Sequence, residues 1–398
     1  MKILYISFAY AVGSQSLYTD LGEELAKNGH SVKVVVSGKC SNGNSEIISQ
    51  NGVEILTVKT LPLFKVKNPI KKAIAILVLP YQLKNAIKKN YANEHFDFVL
   101  FEAPPITNYK VVAWAKKLFK CKAFLMQKDI FPENIAGLGL ISRKSPAYMY
   151  FRHKEINMLK ISDYIGCMSK GNIEFLLKKN NYLNPEKVLL FPNSKTIESI
   201  PPKNKDFICG KFGIDKNTCV FLFGGNLGYS QDINFICNLI KSLKNEKNIF
   251  TLFIGSGIFQ QQLIDTIKSE NISNAKFIES LPRNEYEQIA NNVDAGLITL
   301  DKRCSVPNYP SKVLGYMHSA LPIVAATDLI TDFRNLIEDE AKCGLWAFSG
   351  DVQECYKQMK ILAQNESLRQ ELGANGRKFL EENFDVKQSV KILEKLFT

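Results

Sequence analysis

Short apolar runs alternate along the chain with stretches in which apolar residues recur at helical spacing. The runs are rich in β-branched and aromatic residues, which predicts buried strands. They read ILYISF, SVKVVV, GVEILTV, DFVLFEA, AFLMQKD, DYIGCMS and KVLLFPN in the first half, and TCVFLFGG, FTLFIGSG, AKFIES, AGLITL and IVAAT in the second. Because helical stretches separate them, the pattern predicts βαβ units and an α/β protein with parallel sheets.

The alternation is interrupted by SKTIESIPPKNKDF at 194–207, which lacks apolar periodicity and contains two adjacent prolines. Such a stretch is typical of a linker, and 398 residues are too many for one ordinary core. We therefore predict two Rossmann-like domains that face each other across a cleft. The predicted organisation is a first domain at 1–195, a linker at 196–206, a second domain at 207–380, and a C-terminal helix at 381–398 that could cross back to the first domain.

Positive charge is concentrated in the first half of the chain. Residues 1–200 contain 28 Lys and Arg against 15 Asp and Glu, whereas the remainder contains 23 against 24. This asymmetry predicts an anionic partner, and the absence of a nucleic-acid-binding motif favours an anionic membrane surface over nucleic acid. A solvated basic surface is the alternative. The segment from Lys65 to Lys89 suits an interfacial helix, or equally a helix packed on the core with a basic outer face.

Several features indicate a cytoplasmic protein. No apolar run reaches the roughly 18 residues of a membrane span, and MKILYISF is interpreted as a first strand rather than a signal peptide because a helix and a second strand follow it. The nine cysteines form no C-x-x-C pair, which favours free thiols and no zinc site. We expect a protein located peripherally at the inner face of the cytoplasmic membrane, with no metal and no cofactor.

In the second half, two glycine-rich strand ends and one loop suit an anionic ligand. Gly225 and Asn226 lie in GGNLGYSQD, where glycines let backbone N–H groups approach a diphosphate. Gly255 lies in a GSG that could do the same or form a plain turn. Ser311 and Lys312 open a helix after a loop, a place where α/β proteins hold anions. Neither a G-x-G-x-x-G nor a Walker pattern occurs.

In the first half, the ends of predicted strands offer polar candidates at the same edge of the sheet. Gly13 precedes a helix and could present amides or simply form a turn. Asn193 ends the last strand of this half, as a ligand contact or as a hinge. Asp129 and Glu133 follow AFLMQK, and Asp129 could orient or deprotonate a hydroxyl, or cap a turn. Glu102 is a further acid at a strand end.

The order of these motifs resembles the GT-B glycosyltransferases, specifically family 4, and within it the bacterial L-fucosamine transferases of O-antigen and capsule assembly. DIFPEN is similar to the D-L-W-P-E-S segment of that branch, and GNLG to its G-N-I-G segment. YPSKVLGYM is similar to its V-P-S-K and Y-M-A helix. A late CGL is shared. These matches lie at 129–134, 225–228, 309–317 and 343–345. The order of elements around them resembles the family over nearly the whole chain.

The resemblance implies transfer of a sugar, which we interpret as an acetamido sugar, with retention of configuration. A nucleotide-sugar donor, UDP-linked, would bind the second domain, and a polyprenyl-diphosphate-linked saccharide acceptor would bind the first. The expected catalytic residues are Asp129, Glu133 and Lys312. The expected residues for the donor and its surroundings are Gly13, Asn193, Gly225, Asn226, Gly255, Ser280, Leu281, Ser311 and Lys312, with Ser280 and Leu281 near the base.

The sequence departs from the wider family at two places. The positions of the family's E-x7-E glutamates fall on Pro307 and Gly315, so the usual ribose contact is missing. The family's Arg and Lys after the first strand of the second domain are replaced by Asn226 and Gln231, which leaves Lys312 to neutralise the diphosphate. Two rivals stay open: a nucleotide-sugar 2-epimerase, which also has two Rossmann-like domains, and a catalytically inactive scaffold, which the loss of both glutamates favours.

Overall fold

A computed structural model of the protein describes residues 1–38, 45–62 and 68–397. The chain divides into two units, one made of Met1–Thr196 together with the last segment from Val386, and the other made of Ile197–Asp385. Residues 197–204, which fall in the predicted linker, form no helix or strand. The eight cysteines among the described residues are all free; Cys40, and Lys65 of the predicted interfacial segment, lie outside the described residues.

The sheet of the first unit has eight strands within the described residues. They are β1 (Lys2–Ser7), β2 (Ser31–Gly38), β3 (Glu46–Gln50), β4 (Val53–Lys59), β5 (Phe98–Ala103), β6 (Lys122–Gln127), β7 (Tyr164–Cys167) and β8 (Val188–Leu190). Their order is β3-β4-β2-β1-β5-β6-β7-β8, with all pairs parallel except β3 and β4. The winding reverses between β1 and β5, and doubly wound sheets bind ligands at such a switch point.

The β3–β4 hairpin departs from the all-parallel pattern that the sequence predicts. Gln50 faces Val53 across a turn formed by Asn51 and Gly52, whose φ angles are 48° and 82°. Asn-Gly favours this turn because both residues tolerate positive φ, and the turn's twist matches that of the strands. The prediction missed β3 because EIISQ has only two apolar residues, Ile47 and Ile48, which are exposed and are too few to form an apolar run.

Helices cover the strands of the first unit. They are α1 (Leu17–Lys27), α2 (Pro69–Tyr91), α3 (Tyr109–Phe119), α4 (Glu133–Gly137), α5 (Pro146–Ile161) and α6 (Lys170–Lys179). α1 begins at Leu17 rather than directly after Gly13, because Ser16 and Thr19 form a reciprocal capping box there. Its Leu21 and Leu25 enter the apolar core on the sheet.

The second unit has a six-stranded parallel sheet in its described residues, 197–385. Its strands are β9 (Cys219–Asn226), β10 (Ile249–Ser256), β11 (Ala275–Glu279), β12 (Ala295–Thr299), β13 (Ile323–Thr327) and β14 (Gly344–Phe348), in the order β11-β10-β9-β12-β13-β14. The winding reverses between β9 and β12. β14 was not predicted, because GLWAF offers only five residues between helical segments.

The helices of the second unit lie between and after these strands. They are α7 (Lys205–Phe212), α8 (Ile233–Leu243), α9 (Gln260–Ser269), α10 (Arg283–Ala290), α11 (Lys312–His318), α12 (Val352–Gln364) and α13 (Glu366–Asn383). Phe221, Phe223 and Phe253 of the sheet pack in a core with apolar residues of α8. The predicted βαβ alternation is therefore present in this unit.

The final helix, α14 (Val386–Phe397), is part of the first unit. Val390 and Leu393 enter the same core as Leu21 of α1. The Phe397 ring stacks on Phe98 with centroids 3.7 Å apart. Although it is distant in sequence, α14 therefore completes the core of the first unit.

Candidate functional site

Two glycines lie opposite each other at the carboxyl ends of β9 and β10. Gly225 has a φ of +114°, a conformation that side chains disfavour. A Cβ on Gly255 would lie 1.8 Å from the Gly225 carbonyl oxygen, so Gly255 cannot carry a side chain unless the backbone moves. Asn226 ends β9 and is exposed. Gly225 is exposed and Gly255 is buried against it, so the backbone of Gly225 is open at this edge, as the close approach of a diphosphate requires.

Lys312 lies beside these strand ends. Its Nζ donates a hydrogen bond of 2.8 Å to Oε1 of Gln231 and lies 3.7 Å from the centroid of the Phe223 ring. Its Cε would be 4.0 Å from a Cβ on Gly225. Burial lowers the pKa of Lys312 to about 7. The amine is therefore poised between its neutral and charged forms near neutral pH, and an anion next to it would favour the charged form.

Gln231 connects Lys312 to the switch point of the sheet. Its backbone carbonyl accepts a hydrogen bond of 2.7 Å from Oγ1 of Thr299, the last residue of β12. Its backbone N–H donates to the carbonyl of Gly228 in the loop after β9. Gln231 is thus fixed to the ends of both strands that flank the switch point, the region where ligands bind in such sheets.

Tyr316 fixes α11 to β9, the strand that ends beside Lys312, although the sequence motifs assigned Tyr316 no role. Its hydroxyl donates to the Leu222 carbonyl at 2.7 Å and accepts from the Gly224 N–H at 2.9 Å. Its ring occupies the space that a Cβ on Gly296 would need, at 2.4 Å. Tyr316 follows Lys312 by four residues on α11. The sequence signal that could have indicated its role is an aromatic residue one helical turn after the lysine, together with small residues on two strands.

Arg303 is a second cation near the end of β12 that the sequence motifs did not indicate. Its guanidinium donates to both oxygens of Asp301, at 2.9 and 2.6 Å. Burial would raise the pKa of Asp301, but Arg303 outweighs it and lowers that pKa. The Arg303 charge is therefore balanced by a carboxylate, whereas Lys312 contacts a neutral amide and a ring. This contrast makes Lys312 the stronger candidate for binding an anion.

The other predicted residues of the second unit lie in the loop after β11 and on or next to α11. Ser280 is exposed and Leu281 is half-buried, both in the loop between β11 and α10. Ser311 is exposed at the start of α11 and makes no side-chain capping bond. Gly315 lies within α11, and a Cβ there would meet no atom within 4 Å. The missing family glutamate is therefore not excluded by lack of space.

In the first unit, Glu102 occupies the switch point between β1 and β5. Its Oε1 accepts hydrogen bonds from Ser7 Oγ at 2.9 Å, from the Ala9 N–H at 3.2 Å and from the Phe8 N–H. Its Oε2 is buried and has no hydrogen-bond partner among the described residues. Burial raises the pKa of Glu102 to about 7 although these donors oppose the shift.

Asp129 lies near Glu102, just after β6. Burial, then the charges of Glu102 and Asp129, raise the pKa of Tyr18, so these three side chains are electrostatic neighbours. The Asp129 N–H donates to the Ala103 carbonyl at 3.2 Å. Burial lowers the pKa of Lys128 to about 8, and the charge of Glu102 opposes this shift. Lys128 is therefore also close to Glu102. The structure thus brings Asp129 to the carboxyl edge of β5 and β6.

Glu133 is held by three donors and lies at the start of α4. Its carboxylate accepts from Arg143 at 2.7 Å, from Tyr148 at 2.6 Å and from Lys179. Burial would raise the pKa of Glu133, but Lys179, Tyr148 and Arg143 outweigh it and lower that pKa to about 2. A carboxylate so saturated with donors joins α4, α5 and α6 and is poorly suited to exchange protons. The geometry favours a structural role.

Gly13 and Asn193 lie at other points of the first unit. The Gly13 N–H donates to Oε1 of Gln50 at 2.8 Å, and Gly13 has a φ of +74°, so it turns the loop and uses its amide internally. Asn193 is half-buried in the segment after β8. Gly13 therefore has the geometry of the turn alternative.

The described part of the chain contains neither a metal-ligand cluster nor a membrane-spanning helix. In residues 1–38, 45–62 and 68–397, no cluster of three or more His, Cys, Asp or Glu could hold a metal ion. Over the same ranges, no helix combines the length and the apolar character that crossing a membrane demands.

The chain has the GT-B fold, the class that two units with doubly wound sheets define, and the α/β prediction is confirmed. Sucrose-phosphate synthase from Thermosynechococcus elongatus superposes with a TM-score of 0.78 at 13% identity, covering 100% of this chain and 98% of that one. Anabaena HepE in complex with UDP-glucose superposes with a TM-score of 0.71 at 14% identity, covering 100% and 99%.

Sequence comparison is more specific for the second unit. Residues 204–379 match the family model "Glycosyl transferases group 1", and this segment contains Gly225, Gln231 and Lys312. The "Probable glycosyltransferase WbjE" of Pseudomonas aeruginosa is 27% identical over 226 residues, which cover 55% of this chain and 54% of that protein. The chain spans less than two thirds of the length of the curated relatives it matches.

Proposed function

We propose that the protein is a retaining glycosyltransferase that moves an acetamido sugar from a UDP-linked donor to a lipid-linked saccharide during synthesis of a cell-envelope polysaccharide such as O-antigen or capsule. The observation that carries this proposal is the cluster of Lys312, Gln231 and Phe223 at the switch point, within the segment that matches the family model. The UDP-glucose complex of Anabaena HepE, which has the same fold, supports a uridine-linked donor.

On the donor side, Lys312 would stabilise the diphosphate as it leaves. The bond between the sugar and the diphosphate places negative charge on the phosphate oxygens when it breaks, and a nearby ammonium lowers the energy of that charge. The exposed backbone at Gly225, against which Gly255 packs, would let the diphosphate approach. Ser311 and Asn226 would contact its edges, and Ser280 and Leu281 would lie toward the base.

On the acceptor side, Asp129 would orient the attacking hydroxyl from the first unit. Its position beyond β6, near Glu102 and Tyr18, is a polar carboxyl edge of a doubly wound sheet. Glu133 would act indirectly in this scheme, by fixing the helix that follows Asp129. The excess of 28 basic over 15 acidic residues in positions 1–200 supports a diphosphate-linked acceptor at an anionic membrane.

The test is a screen of UDP-sugars with the full-length protein and a lipid extract from a polysaccharide-producing bacterium. We expect one UDP-sugar to yield UDP and a labelled lipid fraction, and the anomeric configuration of the product shows whether transfer retains it. Epimerised nucleotide sugar formed without lipid would instead identify the epimerase. No heat of binding with millimolar UDP, and no transfer, would identify a scaffold.

A further inference from the structure

We infer that α2, α3 and α5 of the first unit form a docking face for an anionic lipid bilayer. The inference extends the proposed function, because a lipid-linked acceptor is reached at a membrane surface. The docking face comprises Ile70, Ile74, Leu77, Tyr81, Lys84, Lys88, Lys110, Met149, Tyr150 and Lys154.

The outer side of α2 is apolar where a solvated helix would be polar. Ile70, Ile74, Leu77 and Tyr81 are exposed by 69%, 48%, 44% and 53%. Their spacing of three and four residues places them in one stripe about 16 Å long. The opposite side of the helix is fully covered, since Ala75, Leu79 and Leu83 are buried. Core packing therefore accounts for one side of α2 and leaves the other unexplained.

Aromatic and basic side chains extend this stripe onto α3 and α5. Lys110 Nζ donates to the Tyr81 hydroxyl at 3.1 Å and lies 5.2 Å from its ring centroid. Lys154 Nζ lies 5.0 Å from the Tyr150 centroid and 5.7 Å from the Tyr109 centroid. Tyr150 and its neighbour Met149 are exposed. One surface thus runs continuously across the three helices.

The charge of these helices identifies the occupant. α2, α3 and α5 contain eleven Lys and Arg and a single acidic residue, Glu155, which is buried and paired with Arg152. The outer side of α2 changes from apolar at Ile70–Tyr81 to basic at Lys84 and Lys88. Apolar side chains flanked by cations and tyrosines suit the boundary between headgroups and acyl chains of anionic lipid.

Two other occupants fit less well. Nucleic acid presents phosphates to the lysines but gives exposed Ile and Leu side chains nothing to bury against. A second copy of the chain would bring two sets of eleven cations together without intervening carboxylates. A bilayer satisfies the apolar stripe and the charge simultaneously.

The experiment is co-sedimentation of the full-length protein with vesicles of equimolar phosphatidylglycerol and phosphatidylcholine. We expect binding that weakens in high salt and is weaker still with phosphatidylcholine alone. Ile74→Asp combined with Leu77→Asp should reduce partitioning at least about tenfold, because the bilayer loses contact with two apolar side chains. Ile361→Asp, at an exposed isoleucine of α12 in the second unit, should bind as the wild type does.

A second pair of variants tests the contribution of charge to membrane binding separately from that of apolar contact. Lys84→Glu with Lys88→Glu should reduce binding about tenfold or more, while Lys357→Glu with Lys378→Glu, equal in charge but on the second unit, should not. Unchanged sedimentation of the Ile74/Leu77 variant would overturn the inference. So would a wild-type dimer that this variant makes monomeric, or DNA binding that it abolishes. UDP binding by the same variants reports on the donor site separately, so failure of docking leaves the proposed transfer testable.

Discussion

The Nζ of Lys312 and the Oε1 of Gln231 lie 2.8 Å apart at the switch point of the second sheet. The partner of this half-buried amine is thus an uncharged amide, and its other close neighbour is the ring of Phe223. A carboxylate in the same place would neutralise the charge of Lys312, as Asp301 neutralises that of Arg303. The amide orients the amine and leaves its charge for a ligand.

The first prediction concerns the pH dependence of UDP affinity. Burial holds the pKa of Lys312 at about 7, and a bound diphosphate should raise it. Because only the protonated amine attracts the anion, affinity should fall as pH rises above about 7, by up to tenfold per pH unit. Calorimetry between about pH 7 and pH 9 measures this, and Lys312→Arg should flatten the profile because guanidinium stays charged.

Gln231→Glu is the sharpest test of the neutral partner. The substitution keeps shape and adds a carboxylate 2.8 Å from the amine, which should raise the pKa of Lys312 and weaken UDP binding by about tenfold or more. The matched control is Gln262→Glu on α9, because the Gln262 amide contacts Asn234 rather than Lys312. Calorimetry with UDP compares the two. Equal UDP affinity in the Gln231 and Gln262 variants would show that Lys312 does not bind the phosphates.

Tyr316→Phe should weaken the second unit without changing the size of the ring. The hydroxyl accepts from the Gly224 N–H and donates to the Leu222 carbonyl, and both would lose a buried partner. We expect the free energy of unfolding to fall by about 1–3 kcal/mol. Urea unfolding measures the loss. Tyr229→Phe, at a half-exposed ring, should be close to neutral; an equal loss in both would contradict the bridging role.

Replacing Gly315 and Gly255 by alanine should change the stability of the second unit in opposite directions. A Cβ at Gly315 meets open space within a helix, so Gly315→Ala should stabilise by about 0.5–1 kcal/mol. A Cβ at Gly255 would lie 1.8 Å from a carbonyl oxygen, so Gly255→Ala should destabilise and distort the strand ends. Thermal unfolding of both variants gives the comparison, and a common sign would contradict the geometry.

Glu102 should make the first unit more stable in mild acid than above neutrality. Its folded pKa is raised from 4.5 to about 7, so the folded state holds a proton that the unfolded state has released across that range, and stability falls there as pH rises. Glu102→Gln should remove this slope and raise stability above neutral pH. Urea unfolding at several pH values measures it; a parallel profile for both proteins would remove Glu102 as the cause.

The sequence contained enough to predict the alternation of strands and helices and the edge at which Lys312 and Gly225 meet, since these follow from buried runs and glycine positions. It did not reveal β3, whose two apolar residues are too few to form a run, although the Asn-Gly pair at 51–52 marked the turn. The hydrogen bonds of the Tyr316 hydroxyl depend on distances between strands, which spacing along one chain does not encode. For the segment that contains α2, the sequence left an interfacial helix and a core-packed helix equally open, because spacing alone does not show which apolar side chains the core covers.

The position of α14 has a consequence for synthesis on the ribosome. Val390 and Leu393 belong to the core of the first unit, but they are translated after all of Ile197–Asp385. The second unit can close as soon as its own strands have emerged. The first unit, although it is translated first, keeps part of its core uncovered until α14 has been made. The packing of α14 then completes that core.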